Sequence, residues 1–265
     1  MICRRLRFAT FLAPGMYPVY EFISRHVGRR LGVATELTVG QRYHDLAGAD
    51  VSFVCGLAYI ELCGPGRLPL APVAAPVLAG SRSRGRPIYF SDVIVRRDSP
   101  FRTFADLRGA SWCFNERLSH SGYGITRYRL VEMKWTGGFF GRVIEAGFHD
   151  HSIRLVRGGE VDASAIDCHV LALALRDDPA LAREVRVIDS LGPSTIQPVV
   201  VAGWLPDDLR DGIRQALVDL GNDQQARTWL DHGLLDRFVA VDDSSYDDLR
   251  RMQQACAEAG FLTLR

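Results

Sequence analysis

The chain has 265 residues, of which 47% are hydrophobic and 24% charged, and its formal net charge is +1. That balance belongs to an ordinary globular protein long enough for one large domain or two smaller ones. It excludes a basic surface for nucleic acid or an anionic membrane, so any anion must be held at a local site. No apolar run has the length of a membrane-spanning helix.

Residues 1–7 make a basic start, but the apolar stretch 8–13 is too short for a signal-peptide core and ends at Pro14 and Gly15. The same residues read better as a first strand over 6–12. Six cysteines (Cys3, Cys55, Cys63, Cys113, Cys168 and Cys256) form no CxxC pair and no metal-like spacing. Reduced thiols and a cytoplasmic location are therefore expected of the chain as given, with the periplasm as the alternative if translation starts further upstream.

A helix is expected from about residue 17, with Val19, Phe22, Ile23, Val27 and Leu31 on one face and Gly32 as its stop. Strands follow at 34–39 and 51–55, the second apolar enough to be buried on both faces. A stretch rich in Pro and Ala, 69–87, connects to a β-branched strand at 88–95. The rhythm then restarts with a short helix over 104–109, a strand at 111–114, and helical stretches at 122–135 and 140–146. Strands at 161–166 and 185–188 flank a helix at 170–175, and another strand covers 198–202. The remainder reads as helix, with stripes at Leu209, Ile213, Leu217 and Leu220 and at Leu249, Met252 and Cys256. Alternation of this kind predicts an α/β fold with mostly parallel sheets, and the restart predicts two lobes.

Four segments, in order, carry a family resemblance. They are 40–43 (GQRY) with 49–59 (ADVSFVCGLAY); 89–95 (YFSDVIV); 106–109 (DLRG) with 112–115 (WCFN) and 119–123 (SHSGY); and 147–152 (GFHDHS) with 159–167 (GEVDASAID). Over residues 6–205 the chain resembles the phosphate/phosphite/phosphonate-binding proteins of ABC transporters, with Leu57 where that family often has Pro. The resemblance implies a type 2 periplasmic-binding-protein fold, with two mixed sheets flanked by helices. Residues 1–88 and 194–265 would form lobe one, and 89–193 an inserted lobe two. Two crossing strands, near Tyr89 and within 188–198, would act as the hinge for closure around a ligand cleft. It also implies a non-catalytic solute-binding protein for a small oxyanion, with an ABC permease as partner. The rival readings on the same fold are a cytoplasmic enzyme, comparable to menaquinone-pathway or pyrimidine-synthesis proteins, and a sensor.

Ser119, His120, Ser121 and Gly122 open a helix, where hydroxyls, free N–H groups and the helix dipole favour an anion. The plainer reading is an ordinary N-cap. His120 stands where the family commonly has Thr, which trades a hydroxyl for an imidazolium donor. Tyr43, Tyr59, Tyr89 and Tyr17 are candidate phenolic donors and cavity wall; half-buried packing explains each of them equally. His149, Asp150 and His151 invite a metal reading if the segment is extended, but spacing offers no third ligand, so neither metal nor cofactor is expected. In the family reading, His149 or Asp150 lines the ligand wall, Asp150 facing an amine, and Asp167 accepts a proton from a phosphonate oxygen. The plainer role of Asp167 is to cap the helix that starts at Cys168. The run Arg82, Arg84, Arg86 reads as solvated loop, with a rim that draws anions toward the cleft as the alternative. No G-x-S-x-G elbow, P-loop or H-E-x-x-H is present, so no catalytic role is assigned.

Overall fold

The computed structural model describes residues 5–40, 42–64 and 66–264; Cys3 and Gln41 lie outside them. The chain divides into two compact units, Met1–Ile88 with Thr195–Asp247, and Tyr89–Ser194 with Asp248–Arg265.

The first unit starts with β1 (Arg5–Thr10), α1 (Tyr17–Leu31), β2 (Ala34–Val39), β3 (Val51–Phe53), α2 (Gly56–Leu62) and β4 (Leu70–Leu78). Helix α1 buries Val19, Ile23 and Val27 at helical spacing and ends on Gly32, whose φ of 65° is left-handed. The second unit holds β5 (Ile88–Arg96), β6 (Ser111–Phe114), α3 (Ile125–Glu132), β7 (Arg142–Glu145), α4 (His149–Gly158), β8 (Ala163–Asp167), α5 (Cys168–Asp177), α6 (Leu181–Glu184) and β9 (Val185–Thr195). The chain then returns through β10 (Val199–Ala202), α7 (Asp207–Val218), α8 (Gln224–His232) and β11 (Leu235–Ala240), and ends in α9 (Asp247–Glu258).

Among the described residues the first unit carries a six-stranded sheet, β11-β4-β10-β3-β1-β2, and the second a five-stranded sheet, β7-β6-β8-β5-β9. Both are mixed. β1 runs parallel to β2 and β3 while β10 is antiparallel to β3 and β4; β6 runs parallel to β7 and β8 while β5 is antiparallel to β8. Aromatic rings fill the core of the second unit: Phe104 stacks on Phe139 at 5.6 Å and Trp112 on Phe140 at 4.6 Å.

Four expectations change. Residues 140–146, expected as helix, contain β7, because Gly109 N bonds to Phe139 O and Gly141 N to Ala110 O, laying the segment out beside β6. The Pro- and Ala-rich stretch contains the nine-residue strand β4, with Pro72 opposite Val200 where the ladder shifts register. The C-terminal part, expected to be all helix, contains β11. Residues 248–264, expected in the first lobe, pack into the second unit. There the buried Arg127 guanidinium donates to Phe261 O at 2.7 and 3.1 Å, Tyr123 OH donates to Leu262 O, and Phe261 and Leu264 join the core. The chain therefore passes between units at 88/89, 194/195 and 247/248, three times rather than two.

Candidate functional site

After β6, Ser119 takes an extended backbone and its Oγ accepts from Gly122 N at 3.3 Å. His120–Gly124 then form a π-helical turn that runs into α3. Such wide turns interrupt the regular ladder and recur at functional sites. Here the turn brings Ser119 Oγ and Ser121 Oγ within 3.2 Å of each other, and Ser121 Oγ within 2.7 Å of His149 Nε2 at the start of α4. Two polar atoms beside this chain, His149 Nδ1 and Asn115 Oδ1, are enclosed with no protein partner. Gly122 is required for this packing, since a Cβ there would stand 2.1 Å from Asn115 Oδ1.

His120 is 2% exposed. Its Nε2 hydrogen-bonds Ser194 Oγ at 2.9 Å, and its ring meets Tyr89 edge-on at 6.5 Å. Burial lowers its pKa to about 4, so the expected imidazolium is a neutral ring at pH 7. Burial also lowers the pKa of His149, against the opposing charges of Asp167 and Asp150. The hydroxyls and imidazoles of this site are thus neutral groups that can donate or accept by turning or changing tautomer.

The remaining expected residues separate. Asp167 is buried and caps α5, accepting from His169 N at 2.8 Å. Asp150 and His151 are exposed, and His151 Nδ1 lies 2.8 Å from Ala146 O. Because residues 149–151 are the first turn of α4 and not extended, the shared face assumed for His149 and His151 does not exist. Among the described residues no group of three His, Cys, Asp or Glu side chains is arranged to hold a metal. In the first unit, Tyr43 stacks on Phe11 at 5.3 Å, and a side chain at Gly40 would collide with that Phe11 ring. Tyr17 is half-buried at the start of α1. Tyr59 is 3% exposed, its hydroxyl donates to Asp243, and its ring stands edge-on to Tyr246, so it anchors its own unit. Asn115 and Ser194 join the site unannounced. Asn115 ends the WCFN segment and Ser194 follows a Gly-Pro pair, but neither pattern marks a site residue.

A largely buried, uncharged set of hydroxyls and imidazoles at a helix start, on a fold of two α/β units, fits the class of solute-binding proteins. Residues 12–246 match the family described as the phosphonate periplasmic substrate-binding protein of ABC transporters, and the chain belongs to that family. The binding-protein component of an ABC phosphonate transporter from Pseudomonas aeruginosa shares the fold with a TM-score of 0.83 at 17% identity, covering 97% of this chain and 87% of that one. PhnD1 of Prochlorococcus marinus, in complex with methylphosphonate, matches with a TM-score of 0.81 at 15% identity over 96% of this chain and 98% of that one. A protein from Xanthomonas citri bound to ATP matches with a TM-score of 0.66 at 16% identity over 97% and 98%. The family is periplasmic by its description and lends no support to the cytoplasmic expectation. Among the described residues no helix is long and apolar enough to cross a membrane.

Proposed function

We propose that this protein binds a small oxyanion, a phosphonate, phosphite or phosphate, in the periplasm, and hands it to an ABC permease without chemical change. The observation that carries this reading is the Ser119–Ser121–His149 chain at the start of the helix, with His149 Nδ1 left unmatched beside it. A buried polar atom without a partner is costly in an empty site and is repaid when a ligand supplies the missing hydrogen bond. Helix N–H groups and serine hydroxyls donate to the oxyanion, while a serine or a neutral imidazole accepts from a P–O–H group. That favours anions still carrying a proton near neutral pH over sulfate, which has none to give. Tyr43 and Tyr89 are proposed as further ligand contacts, Tyr43 through its phenol on the first unit. Asp167 acts on the ligand through His149.

Thermal melting with methylphosphonate, phosphite, phosphate, sulfate and chloride tests this. Ligand at about a hundredfold over its Kd stabilises by about 2.7 kcal/mol, which is roughly 5–10 °C for a chain of this size. Such a shift with at least one phosphorus oxyanion, and little with sulfate or chloride, is the expected result. A clean melt with no shift for any of the three overturns the proposal.

A further inference from the structure

We infer that His120 is a positioning residue that ties the anion-holding turn to both segments connecting the inserted part of the second unit to the rest of the chain. The inference rests on the oxyanion reading above and deepens it. Tyr89 and Ser194 are the first and last residues of that insertion. His120 touches both, Ser194 through a hydrogen bond and Tyr89 through an edge-on ring contact. The two segments already lie side by side here: a Cβ on Gly192 would meet Tyr89 O at 3.3 Å and Phe90 Cα at 3.6 Å. Their continuations in the first unit are joined as well, Ile196 N donating to Pro87 O at 3.0 Å. One side chain can therefore hold both segments together.

Ser119 and Ser121 share one side with His149, while the residue between them is directed to Tyr89 and Ser194. A ligand that draws in the two serines must carry His120 with it. Burial keeps the ring neutral, which spares this contact the cost of an unpaired charge.

Hydrogen exchange with mass spectrometry on the intact protein, with and without saturating methylphosphonate, phosphite or phosphate, decides the matter. In the wild type, anion should slow exchange at residues 119–124 and also at 88–91 and 191–195. In Ser194→Ala and His120→Thr, slowing at 119–124 should persist at saturation. At the connecting segments it should fall by roughly two- to tenfold, the size of one neutral hydrogen bond. His120→Gln, whose amide can stand in for Nε2, should restore part of it; a merely space-filling role would give no such rescue. If His120→Thr melts poorly, Ser194→Ala alone carries the decision. Protection reaching 88–91 and 191–195 equally in wild type and Ser194→Ala overturns the inference while leaving oxyanion binding intact. Absence of protection by all three anions in the wild type overturns the binding reading, and this inference with it.

Discussion

Asp50 in the first unit and Ser121 in the second are both buried polar side chains, at 4% and 3% exposure, yet their surroundings differ in kind. Asp50 Oδ2 accepts from Arg7 N at 2.9 Å and Arg7 Nε at 3.4 Å, and its Oδ1 accepts from Trp204 Nε1 at 3.1 Å. Burial alone would raise its pKa; the bonds from the Arg7 backbone, Trp204 and the Arg7 side chain outweigh it and hold the carboxyl below its usual value. Ser121 instead sits in a chain of neutral groups that ends on an unmatched imidazole nitrogen, with the unmatched Asn115 oxygen nearby. A satisfied network fastens strands together, whereas an unsatisfied one retains bonding capacity for something not yet there.

The comparison can be broken most directly at its functional pole. Ser121→Ala removes a buried hydroxyl that the proposed function assigns to the anion, which costs about 1–3 kcal/mol, or roughly 5- to 150-fold in Kd. Isothermal titration should show that loss while the ligand-free melt stays close to wild type; unchanged affinity would remove Ser121 from the site. At the structural pole, Asp50→Ala strands the Arg7 and Trp204 donors and should destabilise by about 2 kcal/mol, or roughly 4–8 °C in Tm. Urea unfolding measures the loss, and anion affinity should stay as it was. A large change in affinity from this variant would mean that the two clusters are not separate in function.

Acid sharpens the contrast. A histidine whose folded pKa is lowered contributes stability that is complete above its unfolded value of about 6.5 and is lost as pH falls toward the folded value, which for His120 is about 4. An aspartate whose pKa is depressed contributes stability above its unfolded value of about 3.9 and loses it only below that. Melting against pH should therefore fall in two legs. His120→Gln should make the first leg shallower, the shares of His26 and His149 remaining, and leave the second; a profile level down to pH 4 would contradict the lowered pKa of these histidines.

The smallest effect concerns thiols. Burial raises the pKa of Cys63 to about 12 and also raises those of Cys113 and Cys256, so these thiols stay protonated and slow to react in the folded protein. Among the described cysteines only Cys168 is partly exposed, and none is in a disulfide. A disulfide-exchange reagent at pH 8 should reach Cys168 ahead of Cys55, Cys63, Cys113 and Cys256, and denaturation should free all six thiols of the sequence. A missing thiol after denaturation would point to a disulfide absent from this structure.

The sequence made the parallel strands β1 and β3, helix α1 and the Ser119–Gly122 turn legible, because each combines a hydrophobic period with a local stop or cap. It misread β7 and β11, short strands whose partners, not their own period, decide their conformation. In the site, the run of Ser, His, Ser and Gly announced the turn. What the ring of His120 touches was invisible, since Ser194 lies 74 residues along the chain and meets it only through the packing of the second unit. The expected charge on that ring failed for the same reason: burial is a property of the packed unit and leaves no mark on a four-residue motif.

The prolines of β4 also bear on how the chain survives its own synthesis. The strand reads LAPVAAPVL, uncharged throughout, and its neighbours β10 and β11 begin only at Val199 and Leu235. Until those segments emerge, a long apolar strand must wait unpaired, the condition under which identical segments of different chains stack into cross-β aggregates. Pro72 and Pro76 each remove an N–H that such a stack would need. In the finished sheet Pro72 sits opposite Val200 at the register shift, and Pro76 opposite Phe238, so the native ladder accommodates both. The interruptions that hid this strand from its own sequence protect it while it waits for its partners.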